Sequence, residues 1–241
     1  MAVILVLFSC FIKAEQLQFI AEDLPPYHYK DYTGQTKGAF VDIIHAIAQQ
    51  AKIEYRIELY PFARAYKLLQ NKPNVLMFSL LKSPGREEQF KWLGEIFYNT
   101  AYLVTLKGNK PKLENLEQAK NYKVGTIRSY YSHLYLKNAG FEEGKNLSLS
   151  VKYQHLWQML FNKRIDYVLT NTLSLNNELT ELGFKVEEVE RTLELTDFPN
   201  QLHLVGNLSL SPSKAQALKQ ALKTIKANGE YQKILNQWGL D

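Results

Sequence analysis

Apolar positions along the chain switch between a period of two and a helical period, and the switch recurs in pairs. Leu17, Phe19 and Ala21 alternate with Gln16, Gln18 and Glu22, which predicts a strand that Pro25-Pro26 ends. After a turn at Asp31-Tyr32-Thr33-Gly34, Gly38 opens a helix with Phe40, Ile43, Ile44, Ile47, Ala48 and Ala51 on one face. Ile53–Tyr60 alternates again, Pro61 stops it, and a second helix starts at Phe62. Val75–Leu81 is an unbroken apolar run between Pro73-Asn74 and Lys82-Ser83-Pro84-Gly85, the pattern of a strand buried on both faces of a mostly parallel sheet. Ala101–Leu106 is a further strand, and Lys107–Pro111 is a polar break of the kind that separates lobes.

Beyond the break the alternation restarts. The pattern predicts a strand at Lys123–Ile127, a helix over about Tyr130–Asn138, a strand at Leu147–Tyr153 and a helix over about His155–Asn162. A strand at Ile165–Thr170, a helix over Thr172–Leu182 closed by Gly183, and a strand at Lys185–Val189 follow. The apolar Leu202–Val205 is one more strand. Ser211-Pro212 then caps a helix with Ala215, Leu218, Leu222 and Ile225 on one face, and Gly229 separates it from a last amphipathic stretch ending near Trp238. Two βα series of similar size predict an α/β protein of two lobes, each a sheet flanked by helices, with the closing helix packed on the first lobe.

Composition adds little to that outline except at the N-terminus. Ala2–Ile12 is apolar but too short to span a bilayer as a helix, and it gives way to Lys13-Ala14 before Glu15-Gln16. This reads as a signal peptide over residues 1–14, although it lacks a basic start; lipid attachment at Cys10 is the other reading of the same segment. Cys10 is the single cysteine, so the exported chain has no disulfide, and the five histidines are too scattered to predict a metal site. The formal charge of +5 is spread along the chain with no basic block, which argues against a nucleic-acid partner.

The candidate chemistry clusters at predicted strand ends, where open α/β sheets bind ligands. Ser79 ends the apolar run and offers a hydroxyl, and Arg86 follows the turn with a planar fork of donors suited to a carboxylate. Tyr27 stands beyond the first strand on a proline-stiffened loop, placed to cover a ligand. Arg64 sits in the first turn of a helix, against the dipole preference, and is either a ligand contact or a surface arginine.

The order of several strings resembles the bacterial extracellular solute-binding proteins of family 3, the polar amino acid-binding type. These strings are Asp23-Leu24-Pro25-Pro26-Tyr27, Gly38-Ala39-Phe40-Val41-Asp42-Ile43, Ser83-Pro84-Gly85-Arg86-Glu87-Glu88-Gln89-Phe90, Val124-Gly125-Thr126, Lys163-Arg164-Ile165-Asp166-Tyr167 and the closing Asn228-Gly229-Glu230-Tyr231. The resemblance implies a two-lobe clamp of the type II periplasmic binding protein kind, with a paired hinge near Tyr102–Leu106 and Leu202–Val205. Lobe 1 would hold residues 15–104 and 204–241, and lobe 2 residues 105–203. It also implies that Arg86 binds a ligand carboxylate, Ser79 a polar group, and Tyr27 forms a lid, with Thr126, Arg128, Tyr130 and Asn171 on the opposite wall. The implied partners are a small carboxylate-bearing ligand, an amino acid or close relative, and the membrane subunits of an ABC importer; the protein would be a periplasmic monomer with no cofactor.

Two departures qualify this picture. Asn171 stands where amino acid binders carry an aspartate for the ligand ammonium, and Arg128-Ser129-Tyr130-Tyr131 replaces small residues. If both Arg86 and Arg128 face the cleft, with or without Arg64, the expected ligand is an acid without a free ammonium, or a modified amino acid or short peptide. Two other readings stand beside the binder. One is a dehydratase-like enzyme acting on a cyclic carboxylate, with Glu22, Asp23 or Glu95 as acid or base. The other is a freestanding ligand-sensing module.

Overall fold

A computed structural model describes residues 16–171 and 175–240. The expected signal segment and Cys10 lie outside the described residues. Among the described residues no helix is long and apolar enough to cross a membrane.

The first lobe is built on β1 (Leu17–Ala21), β4 (Tyr55–Leu59), β5 (Val75–Leu81), β6 (Lys91–Tyr98) and β12 (Gln201–Gly206), in the order β4-β1-β5-β12-β6. A small hairpin, β2 (Tyr29–Lys30) with β3 (Thr36–Lys37), lies beside it. β1, β4 and β5 are parallel, whereas β12 runs antiparallel to both β5 and β6. The period of two decides which helices cover which face. Leu17, Phe19, Leu76 and Phe78 point into a core with α1 (Ala39–Ala51), α7 (Pro212–Ala227) and α8 (Glu230–Gln237), supplied by Phe40, Ile43, Leu218, Leu222 and Ile234. Ile20, Val75 and Met77 point the other way, against Ala65 and Leu69 of α2 (Phe62–Asn71). Each fully buried Leu, Ile or Phe contributes about 1.5–3 kcal/mol, so the two-sided burial of β5 makes it the mechanical centre of this lobe.

The second lobe has β7 (Ala101–Leu106), β8 (Val124–Ile127), β9 (Leu147–Ser150), β10 (Tyr167–Asn171) and β11 (Val189–Glu194), ordered β11-β7-β10-β8-β9. β8, β9 and β10 are parallel. A short α3 (Leu116–Ala119) and α4 (Tyr131–Asn138) lie against one core, where Leu136 meets Val124 and Tyr167. α5 (Tyr153–Phe161) and α6 (Leu175–Glu181) close the other, with Trp157, Leu160 and Leu179 packed on Val104 and Val168.

Two expected elements differ, and one strand had not been expected. The strand expected at Lys185–Val189 is a 3₁₀ turn, Val186–Glu188, and the strand is Val189–Glu194. β6 escapes the sequence pattern because its register against β12 shifts twice, and each bulge breaks the alternation. The end expected of the β9 strand, Tyr153, instead starts α5.

Each sheet keeps its strands whole, so β7 belongs entirely to the second lobe and β12 entirely to the first. The chain therefore crosses at Asn99-Thr100 and again between Glu194 and Gln201, a few residues before the divisions expected inside those strands. The reason is that cutting a strand in mid-run would leave its ladder groups unpaired. Asn99 N–H donates to Asn200 O at 2.8 Å, which binds the two crossings side by side.

Gly38 shows how tightly the first lobe is set. Its φ is +131°, and a Cβ there would lie 2.3 Å from the Tyr27 carbonyl oxygen. Phe40 N–H donates to that same oxygen at 2.9 Å. Gly38→Ala is expected to cost about 2–3 kcal/mol of unfolding free energy in urea titrations, since both the backbone conformation and the loop must give way.

Candidate functional site

The C-terminal ends of β1, β5, β8 and β10 face each other across the gap between the lobes. On the first lobe, Ser79 has φ +64°, a left-handed conformation for a non-glycine residue, at the point where β5 loses register with β12. Its hydroxyl meets His28 Nε2 at 2.8 Å, and His28 Nδ1 lies 2.6 Å from the Glu22 carbonyl oxygen. A carbonyl only accepts, so Nδ1 carries the proton and Nε2 accepts from Ser79. His28 is fully buried, and burial lowers its pKa to about 4, so the ring is neutral at physiological pH. This bridge ties the loop after β1 to the end of β5. The sequence offered no sign of it, because the partners stand 51 residues apart. His28→Ala is expected to lower unfolding free energy by about 2–4 kcal/mol in urea denaturation, because a cavity opens and two buried polar groups lose their partner.

Arg86 rises from a 3₁₀ turn, Pro84–Gln89, after β5. Its Nη1 donates to the Leu81 carbonyl at 3.2 Å, and its guanidinium lies 5.2 Å from the Tyr66 ring centre and 5.7 Å from that of Phe62. The aromatic faces and the carbonyl hold the fork in place. Burial lowers its pKa from the usual arginine value, and among the described residues no carboxylate pairs with it. A half-buried cation without a counter-ion is arranged to receive an anion.

The second lobe meets this wall through Tyr130, the residue before α4. Its ring lies 5.2 Å from Phe62, and its hydroxyl donates to Glu22 Oε2. Phe62 thus connects Arg86 to Tyr130, and Tyr130 connects to Glu22. Glu22 as a whole is half-buried, but its carboxylate is enclosed by protein. Burial raises its pKa to about 7; the Tyr130 hydrogen bond opposes that shift, and the negative charges of Glu178 and Asp23 add to it. Burial pushes the Tyr130 phenol well above its usual range, so it stays a donor. Glu178, on α6, accepts from Trp157 Nε1 at 2.6 Å, and Tyr153 donates to Glu181. Among the described residues no basic side chain pairs with Glu22. The cleft therefore has an anion-seeking end at Arg86 and an acidic end at Glu22 and Glu178, with Phe62 and Tyr130 between them.

Other expected contacts fall elsewhere. Arg128 is exposed and its Nη2 lies 2.5 Å from Glu143 Oε1, a pair within the second lobe. Arg64 is exposed with its guanidinium 4.6 Å from the Tyr60 ring centre. Neither joins Arg86, so the triple-arginine cleft is not formed: each long side chain finds a nearer partner on its own surface. Thr126 is buried with its hydroxyl 2.6 Å from Ser132, which fastens β8 to the first turn of α4. Tyr27 is placed differently from the exposed position expected. It is buried, its ring 5.1 Å from that of Phe40 in the first core. The ring also lines a 520 Å³ crevice beside the crossings, shared with Phe97, Asn99, Trp238 and Asn176, which contains none of the charged groups above. Asn171 ends β10, half-buried and opposite Ala101.

The chain matches the model of the bacterial extracellular solute-binding proteins, family 3, over residues 19–241. It is 26% identical over 233 residues to the ABC transporter arginine-binding protein 1 of Escherichia coli K12, covering 93% of this chain and 91% of that protein. It is 25% identical over 244 residues to the arginine-binding periplasmic protein of Mannheimia haemolytica, covering 96% and 95%. A histidine kinase sensor domain with similarity to periplasmic binding proteins superposes with a TM-score of 0.81 at 18% identity, covering 92% of this chain and 95% of that one, a likeness of fold alone. Both curated relatives are named as binding proteins, which does not favour the dehydratase reading. With its match extending over both lobes and the closing helices, the chain belongs to the bacterial extracellular solute-binding proteins of family 3.

Proposed function

We propose that the protein captures an amino acid with a cationic side chain, arginine or a close analogue, between its lobes in the periplasm and delivers it to an ABC importer. The observation that carries this reading is the Arg86 guanidinium, half-buried, held on two aromatic faces and unpaired with any carboxylate among the described residues. It receives the ligand carboxylate in a bidentate pair. At the other end Glu22 receives the ligand's positive charge, with Glu178 of the second lobe adding to the negative potential. The rings of Phe62 and Tyr130 cover the aliphatic part.

The sequence departures pointed instead to an ammonium-free acid, a modified amino acid or a short peptide. That expectation rested on Arg128 facing the cleft beside Arg86, and Arg128 pairs with Glu143, while Arg64 lies over the Tyr60 ring. Asn171 supplies an amide where amino acid binders carry an aspartate, so the negative charge for the ligand comes from Glu22, with Ser79 holding the β5 end in place through His28. The names of the two curated relatives, both arginine-binding, favour the same ligand class and the importer partner. Hinge motion about the Asn99-Thr100 and 195–200 crossings parts the walls, which touch through Tyr130, to admit the ligand.

Isothermal titration with L-arginine, L-lysine, L-glutamine and succinate tests the reading. A basic amino acid is expected to bind at least about tenfold tighter than glutamine or succinate, the factor that one charge-assisted contact supplies. A dicarboxylate binding more tightly than either basic amino acid would overturn it.

A further inference from the structure

At the end of the second lobe away from the cleft, the chain gathers cations that are far apart in sequence. The turn before β8, the loop before β9 and the turn between α5 and β10 enclose a groove of 500 Å³ lined by Lys120, Lys123, Lys145, Lys163, Arg164 and Asp166. All three segments lie at the N-terminal ends of parallel strands, whereas the cleft lies at their C-terminal ends. Strands of four and five residues put roughly 15 Å between the two. The groove is thus separate from the cleft.

Its charge is not neutralised internally. Asp166, the one carboxylate in the lining, is already committed: Oδ1 pairs with Lys110 at 2.9 Å and Oδ2 accepts from the Lys123 backbone N–H at 2.8 Å. Lys120 pairs with Glu117 at 2.6 Å and Lys145 with Glu142 at 3.0 Å. Among the described residues the side chains of Lys123, Lys163 and Arg164 pair with no carboxylate. Lys163 also holds a left-handed φ of +55° just after α5, where glycine is the usual occupant, so a charged side chain sits at a position that tolerates it at some cost. The floor is stiff. Asn146 donates to the Lys120 carbonyl at 3.1 Å and accepts from Glu142 N–H at 2.8 Å.

We propose that this groove is a second binding site, for an anion bearing phosphate groups. Three uncompensated cations converging on a concave surface suit an anion with several charged oxygens better than a monocarboxylate. A net charge of +5 for the whole chain underlines how much of the excess is collected at this one place. The phosphate chemistry could reach the groove as a soluble anion or as the headgroup of an anionic lipid.

The test uses the whole protein with two probes, pyrophosphate by isothermal titration and phosphatidylglycerol vesicles by co-sedimentation, both at low ionic strength. The variant Lys123→Gln/Lys163→Gln/Arg164→Gln removes the groove's free charge. The control Lys219→Gln/Lys223→Gln/Lys233→Gln removes the same charge from exposed positions on α7 and α8. Binding of pyrophosphate that weakens at least about tenfold in the groove variant, is unchanged in the control and fades with added salt supports a soluble anion. The same pattern with vesicles and not with pyrophosphate supports a headgroup. Binding of neither probe, or equal losses in the two variants, overturns the proposal. Thermal unfolding of both variants is expected to match the parent, because all six side chains are exposed.

Discussion

Arg86→Ala should abolish measurable capture of the amino acid while leaving the fold intact. Truncating one partner of a desolvated charge pair costs about 2–5 kcal/mol, a loss of roughly thirtyfold to several thousandfold in affinity. Here the loss should fall near the upper end, because the Arg86 fork is already oriented by Leu81 and by the rings of Phe62 and Tyr66, and little freedom remains for it to lose on binding. Stability without ligand should change little or rise, since the variant removes a half-buried cation that no carboxylate neutralises. Arg86→Lys should recover only part of the affinity, because an ammonium cannot make the paired contact. Titration calorimetry reads the affinity, and urea denaturation reads the stability. Unchanged affinity in Arg86→Ala would remove the residue from the site.

Glu22 should make ligand capture depend on pH. Its pKa of about 7 means that the carboxylate is partly protonated near neutrality, and a cationic ligand binds the ionised form. Below about pH 7 affinity should therefore fall, by up to tenfold per pH unit, and binding near neutrality should release protons. In Glu22→Gln both effects should vanish along with most of the affinity for a basic amino acid.

The same residue has the opposite influence on folding. A carboxyl whose folded pKa is raised from 4.5 to about 7 stabilises the fold most below pH 4.5, and that contribution is lost as pH rises to about 7. The full difference is on the order of 3 kcal/mol. His28 and His203, with pKa values lowered by burial to about 4, act in reverse: their contribution is complete above pH 6.5 and is lost as pH falls towards 4. Between pH 4.5 and 6.5 the two histidines outweigh Glu22, so the parent's stability should still rise with pH, less steeply than that of Glu22→Gln. The informative quantity is the difference in melting temperature between Glu22→Gln and the parent, which should grow with pH from about 4.5 to about 7 and then level. A difference independent of pH would show that Glu22 titrates normally.

Much of the fold was legible because its cause is local. The continuous run Val75–Leu81 can satisfy its apolar side chains only between two layers, and it is the central strand. Proline, glycine and helical periodicity placed the start of α1 and α7. β6 was hidden because its bulges are a property of the pairing with β12 and not of Lys91–Tyr98 alone. The position of Arg86 beyond a strand end was readable from the turn that carries it. Tyr27 was not, since whether an aromatic after two prolines turns outward or packs on Phe40 depends on the depth of the core.

The chain's own order of residues thus settles the two βα series, the strand ends and the family pattern, all of which follow from short-range periodicity and turn chemistry. Three-dimensional packing alone decides the charges. It takes Arg128 out of the cleft by offering Glu143, and it encloses Glu22 beside Tyr130, 108 residues away. It links His28 to Ser79, and it collects Lys123, Lys163 and Arg164 into one groove from a chain that shows no basic block. Electrostatic energy falls off with distance in space and with access to water, and neither quantity exists until the two lobes have formed.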